Sequence, residues 1–248
     1  MNSAALVVWL TAEDRRLDLS DRLVSARREI SGRIVFSTSF GIEDQAIAHA
    51  IFTASLDIDV VSFDTGRLFP ETLEVWGNTE RRYGRKIRGL APDQESIEEL
   101  LERDGVNGFR HSLEARLACC DLRKVEPLGR ALAGASGWIT GLRADQSAER
   151  ALAAYATFYP QHQIIKVNPL FDWTRDRVVA FVHDHGVPYN QLHDRGFLSI
   201  GCAPCTRAVA PGEQERAGRW WWEQEEKTEC GLHFGHPAWR PQPAQSNA

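Results

Sequence analysis

Residues 33–46 read RIVFSTSFGIEDQA, and this stretch decides the fold. Ile34, Val35 and Phe36 form a continuous apolar run, as expected of a short strand buried on both faces. Ile42, Ala46, Ile47 and Ala50 then recur at helical spacing, so the chain passes from strand to helix through Ser39-Phe40-Gly41. At such a junction the backbone N–H groups of the first helical turn face an anion, and the helix dipole assists. Ser37, Thr38, Ser39 and Gly41 are small or hydroxylic, so a phosphate can approach closely. The stretch is neither a Walker A loop nor a GxGxxG fingerprint, and any strand-to-helix turn can carry serine and glycine.

The same alternation continues along the chain. DIDVVSFD (57–64) reads as a second strand, and Pro70 opens a helix through about Tyr83. Residues 85–88 read as a short strand and 94–103 as a helix. Residues 119–133 read as one helix that Pro127 must kink or break. GWITG (137–141) and HQIIKV (162–167) are further strands, and the helix 174–185 is ended by Gly186 and Pro188. Strands alternating with helices predict an α/β fold, a parallel sheet with helices on both faces. Ligands in such folds bind at the carboxyl ends of the strands, near the point where strand order reverses. The loops SFGIED, DTGRLFPE and GLRADQS lie there. No internal repeat is visible. Residues 1–198 form the α/β nucleotide-binding unit. Residues 199–248, rich in Gly, Pro, Trp and charge, form a flexible C-terminal segment of the same functional domain, ending in a disordered PQPAQSNA tail.

The 248 residues are 43% hydrophobic and 25% charged, enough to bury a core without disulfides. A net charge of −5 disfavours a general nucleic-acid-binding role. No apolar run reaches membrane-spanning length, and the opening MNSAALVVWLTAEDRR lacks a basic n-region, so neither a membrane span nor a signal peptide is expected. A cytoplasmic chain with five cysteines points to metal binding or catalysis more than to disulfides.

Four of those cysteines come in two pairs, Cys119-Cys120 and the Cys202 and Cys205 of CAPC; Cys230 stands apart in TECGLH. Two pairs suit a four-thiolate site, and zinc and iron–sulfur both accept four cysteines. Adjacent cysteines, whose Cα atoms are about 3.8 Å apart, diverge from one ion and converge more easily on a larger cluster. Spacing favours a cluster and leaves zinc open; the bland alternative makes Cys119 and Cys120 small buried hydrophobes. Lys124 lies one helical turn after Cys120 and shares its face, where its charge would offset bound thiolates. The other loop cations, Arg67, Arg143, Arg207, Arg216 and Arg219, are individually ordinary surface charges. Arg216 and Arg219 share a helical face if that segment is helical. The WWW at 220–222 is expected to pack the segment onto the main body.

In this order, SFGIEDQ, DTGRLFPET, CCDLRKVEPL, GLRADQS, GCAPCT, ERAGRWWWE and ECGLH resemble the assimilatory sulfonucleotide reductases, in particular the iron–sulfur adenylyl-sulfate (APS) reductases, over about residues 34 to 236. The resemblance implies the adenine-nucleotide α-hydrolase-like, or PP-loop, fold. It implies reduction of adenosine 5′-phosphosulfate to sulfite and AMP, with thioredoxin or glutaredoxin as donor. Cys119, Cys120, Cys202 and Cys205 match the [4Fe-4S] ligands, and Cys230 the catalytic cysteine. Lys124, Arg143, Arg216, Arg219 and His233 match positions that bind or face the phosphosulfate. Ser39, Phe40 and Gly41 match the PP-loop region, Asp64, Thr65 and Gly66 its companion loop, and Gly141 belongs to the third loop. One departure is visible: family members often show GLRRDQS, and here Ala144 replaces the second arginine. Both cysteine pairs favour APS over its 3′-phosphorylated analogue (PAPS), whose cluster-free reductases lack them. Self-association into a homo-oligomer is left open.

The resemblance gives the fifth cysteine its chemistry. A thiolate is the soft nucleophile that sulfonate transfer needs, with AMP as leaving group. The S-sulfocysteine on Cys230 then releases sulfite by thiol exchange. Gly231 and Gly235 give the segment backbone freedom. Cations such as His233, Arg216 and Arg219 would lower a thiol pKa from about 8.5. By spacing alone, Cys230 is equally a spare thiol. Two rivals remain. An ATP-using PP-loop enzyme would carry SGGxDS, where Phe40 here puts bulk at the first glycine. A non-enzymatic cluster or zinc module would find Cys230 dispensable.

Overall fold

The computed structural model describes residues 2–223. Its six strands are β1 (Ile34–Thr38), β2 (Asp59–Phe63), β3 (Arg88–Leu90), β4 (Gly137–Ile139), β5 (Ala156–Tyr159) and β6 (Ile164–Val167). They form one sheet in the order β3-β2-β1-β4-β6-β5. Every pairing is parallel except β5 with β6. The expected α/β architecture is present, with one antiparallel edge.

β1 lies at the centre because it is apolar on both faces. Ile34 and Phe36 pack into a core with the helices Ser3–Glu13, Leu19–Glu29, Ile42–Thr53 and Arg175–Asp184. Val35 faces the other way, with Val61, Trp138 and Ile164, against Leu128 and Leu132 of the helix Glu126–Leu132. Strand order reverses between β1 and β4, which are both neighbours of the same crevice. The loops that leave their carboxyl ends, SFGIED and TGLRADQ, therefore face each other.

Three local readings need correction. The expected helix 119–133 is three pieces: Leu113–Cys120, a π-helical turn Asp121–Val125, and Glu126–Leu132. Pro127 cannot donate a hydrogen bond, and the Glu126 N–H donates five residues back to Asp121. The adjacent cysteines thus close a helix instead of opening one. The strand expected at 85–88 is found at Arg88–Leu90. β5 was not anticipated: only Ala156 is buried on this edge strand, so it lacks an apolar run.

The segment from 199 to 223 is packed against this body. Cys202, Cys205 and Trp220 are buried in a small cluster with Phe109, and Trp222 packs on it. Arg116, fully buried, makes a bidentate pair with Glu223 at 2.8 Å. Among the described residues no helix is long and apolar enough to cross a membrane. The PQPAQSNA stretch lies outside the described residues.

Candidate active site

The loop after β1 is built by its own side chains. Phe40 adopts a left-handed backbone, φ 58°, which glycine would ordinarily take. Its ring turns into the core, 1% exposed, and stacks on Trp76 at 5.1 Å. The bulk expected to obstruct the loop is therefore withdrawn from it. Thr38 Oγ1 accepts the Phe40 N–H at 3.0 Å. The Ser39 N–H and hydroxyl both donate to Asp44 Oδ2, at 2.6 and 2.8 Å. Asp44 belongs to the first turn of Ile42–Thr53 and lies directly against Gly141, where a Cβ would collide with its carboxylate. Burial raises the Asp44 pKa to about 6, although the Ser39 hydrogen bonds oppose this.

Beside it, Glu43 and Arg143 tie the loops together. Arg143, fully buried, contacts Glu43 at 2.9 Å, Glu215 at 2.8 Å, and Asp145. Burial would raise the Glu43 pKa, but the Arg143 charge holds it below the usual range. Glu215 is pushed up, by burial first and then by Glu43.

Between these loops and the 199–223 segment lies a cleft of about 160 Å³, open to solvent. It brings together Ser39, Phe40, Gly41 and Gly141 from the two loops, and Thr65 from the loop after β2. Lys124, Arg216 and Arg219 supply positive charge. Arg219 lies against Gly201, where any Cβ would meet the guanidinium, and stacks on Trp220 at 4.5 Å. Its buried Nε has no hydrogen-bond partner among the described residues. Arg216 donates to Ser199 Oγ at 3.3 Å.

Three expected residues do not line the cleft. Asp64 is exposed and accepts the Gly66 N–H at 2.9 Å, so the pair builds the turn that presents Thr65. Arg143 is occupied by the carboxylates just described.

Sequence reasoning missed His193, Arg150 and Glu215, which all line the cleft. His193 is half-buried; its Nδ1–H donates to the Phe197 carbonyl at 2.8 Å, and the buried Nε2 has no partner among the described residues. Burial lowers its pKa, so the neutral ring offers a lone pair there. His193 sits in a short 3₁₀ turn, Gln191–Arg195, with no periodic pattern to flag it. For Glu215, the only signal was its position next to Arg216 in the ERAGR stretch.

A second, small cavity of about 10 Å³ adjoins the first and is lined by Cys119, Cys120, Cys202 and Cys205. Cys119 and Cys120 end a helix; Cys202 caps and Cys205 ends a 3₁₀ turn, with the Cys205 N–H donating to the Cys202 carbonyl at 3.0 Å. None of the four is in a disulfide. Arg67, Arg123 and Lys124 also line this cavity, and Lys124, Cys202 and Trp220 line both. Burial works against ionisation of Cys202, yet Lys124 and a Thr65 hydrogen bond bring its pKa down. Cys205 is pushed up to about 11, by burial and then by Cys202. Among the described residues, no three His, Cys, Asp or Glu side chains are grouped to grip one metal ion. What the cavity offers is four thiols, surrounding cations, and two buried N–H donors without partners among the described residues, Arg123 Nε and Trp220 Nε1. That donor set fits a sulfur-rich, anionic multi-iron group.

Cys230 and His233 lie outside the described residues.

Residues 33–208 match the model of the phosphoadenosine phosphosulfate reductase domain. The chain is 52% identical to an adenosine 5′-phosphosulfate reductase of Agrobacterium fabrum, over 94% of this chain and 89% of that one. It is 51% identical to one of Allochromatium vinosum, over 81% of this chain and 78% of that one. Among solved structures it resembles the phosphoadenylyl-sulfate (PAPS) reductase from Candida auris in its phosphate complex. The TM-score is 0.71 at 26% identity, covering 84% of this chain and 98% of the other.

Proposed function

The chain belongs to the phosphoadenosine phosphosulfate reductase family, and from that membership we propose that it reduces adenosine 5′-phosphosulfate to sulfite and AMP. The observation that carries this reading is the junction of the two cavities: a cation-lined cleft at the switch point, sharing Lys124 and Cys202 with a four-thiol cavity. The identity of about one half with relatives named for the 5′-phosphosulfate favours it over the 3′-phosphorylated substrate.

In this mechanism the phosphosulfate lies between the SFGIED loop and Lys124, Arg216 and Arg219, whose charges offset its oxygens. The Cys230 thiolate attacks the sulfonate sulfur. An S–S bond forms as the bond from that sulfur to the bridging oxygen breaks, and AMP departs with the electron pair. A thioredoxin thiolate then attacks the Cys230 sulfur and expels sulfite. The second thioredoxin thiol resolves the mixed disulfide, which returns Cys230 reduced. Cys119, Cys120, Cys202 and Cys205 would hold a [4Fe-4S] cluster, which supplies local charge and fixes the CAPC turn beside Lys124. The reaction serves assimilatory sulfate reduction and cysteine synthesis, in the cytoplasm where thioredoxin is kept reduced.

The test is the intact mass of anaerobically purified protein after mixing with adenosine 5′-phosphosulfate and no reductant. Gain of one sulfonate, mapped to Cys230 and removed by thioredoxin, is expected. Gain only with the 3′-phosphorylated analogue would change the substrate, and gain with neither would end the covalent mechanism.

A further inference from the structure

The hydroxyls lining the cleft differ in where their protons go. Ser39 gives its proton to Asp44 at 2.8 Å, Ser62 to the Thr38 carbonyl at 2.8 Å, and Thr140 to Asn168 Oδ1 at 2.5 Å. Ser37 is different. Its Oγ accepts from Trp138 Nε1–H at 2.9 Å, across the β1–β4 crevice. A hydroxyl that accepts from indole, which only donates, keeps its own proton for another acceptor. Ser37 is half-buried and lines the cleft, so that acceptor is the cleft's ligand.

Trp138 is held for this task. It is 1% exposed, and the buried Lys166 ammonium lies over its ring at 4.7 Å from the neighbouring strand. A cation on the ring face fixes the indole and draws electron density from it, which strengthens the N–H as a donor.

We propose that Ser37 is a hydroxyl donor to the phosphate oxygens of the bound nucleotide, and that Trp138 is the positioning residue that aims it. The inference rests on the reductase reading for its ligand. It moves the serine donor from Ser39, whose proton is committed to Asp44, to the end of β1.

Calorimetric titration of AMP into the anaerobically purified holoenzyme tests it. Ser37→Ala should weaken binding roughly tenfold or more, as expected for a lost hydrogen bond to a charged group. Ser37→Thr, which keeps a hydroxyl, should retain most of the affinity. Trp138→Phe keeps a ring for Lys166 but loses the N–H, and should weaken binding about threefold, on the scale of one neutral hydrogen bond. Together with Ser37→Ala it should add nothing further, because the two act as one unit. Equal Trp138→Phe effects with and without Ser37 would reduce Trp138 to packing and overturn the proposal, as would unchanged binding by Ser37→Ala. Should Trp138→Phe not fold, Lys166→Met is read in the same cycle, with the same criterion. An unaltered chain that binds no AMP would instead remove the nucleotide reading itself.

Discussion

Lys124 reaches the Cys202 thiol from the wall shared by the two cavities, and its charge lowers the thiol pKa against the effect of burial. One ammonium therefore faces both the thiol set and the larger cleft. Lys124→Ala should lower kcat/KM for adenosine 5′-phosphosulfate roughly tenfold to a hundredfold, the range for a hydrogen bond to a charged partner. Lys124→Arg should recover part of it. Steady-state kinetics on protein matched for iron content checks this; an unchanged kcat/KM would take Lys124 out of the substrate's reach.

The two kinds of cysteine should separate cleanly by substitution. Cys230→Ser is expected to keep the visible absorption of the cluster and lose turnover, since only the nucleophile is gone. Cys202→Ser removes a buried thiol between Thr65 and Lys124 and is expected to lose both. Absorption spectra and sulfite release, measured on the same preparations, decide. A coloured and active Cys230→Ser enzyme would contradict the mechanism.

Asp44 should leave a mark on stability against pH. Its folded pKa, about 6, stands above the ordinary 3.8. Between those values the folded chain binds the proton that the unfolded chain has lost. This group's contribution to stability therefore falls as pH rises from about 4 to about 6 and is constant above that. The two-unit difference corresponds to roughly 3 kcal/mol. Asp44→Asn removes the titration and keeps an acceptor for Ser39. Urea unfolding of both proteins across this range should give a stability difference, wild type minus variant, that declines and then levels. A difference independent of pH would show that the carboxyl is ordinary.

Much of this site was legible because strand and helix periods are local. The Ile34–Phe36 run, the spacing of Ile42, Ala46 and Ala50, and the Pro70 start survive in the structure almost residue for residue. The approach of Cys119 and Cys120 to CAPC was legible for another reason: thiols in pairs have few other uses. What could not be read depends on tertiary contact. Arg143 looked like an anion-facing loop cation, but Glu43 and Glu215 from distant segments hold it, together with its near neighbour Asp145. His193 matters through burial, which its neighbours in sequence do not encode. The π-turn at Asp121–Val125 follows from Pro127, but the sequence did not say that the helix would widen instead of bend.

Gly141 and Gly77 make a paired test of how tightly the switch point is closed. At Gly141 an added Cβ would overlap the Asp44 carboxylate and press on Glu43, both in the first turn of Ile42–Thr53. Neither can yield easily: Asp44 is bonded to Ser39, and Glu43 is bound to Arg143. Gly141→Ala should therefore cost about 1–3 kcal/mol as overpacking. It should also weaken AMP binding, because relief requires the SFGIED turn to move away from β4. Gly77 lies within the helix Pro70–Tyr83, and a Cβ there meets nothing within 4 Å. Gly77→Ala should stabilise by about 0.5–1 kcal/mol and leave AMP binding unchanged. Denaturation curves and titrations of the two variants read these effects. Gly141→Ala with native stability and affinity would mean that the two loops are not in the contact described.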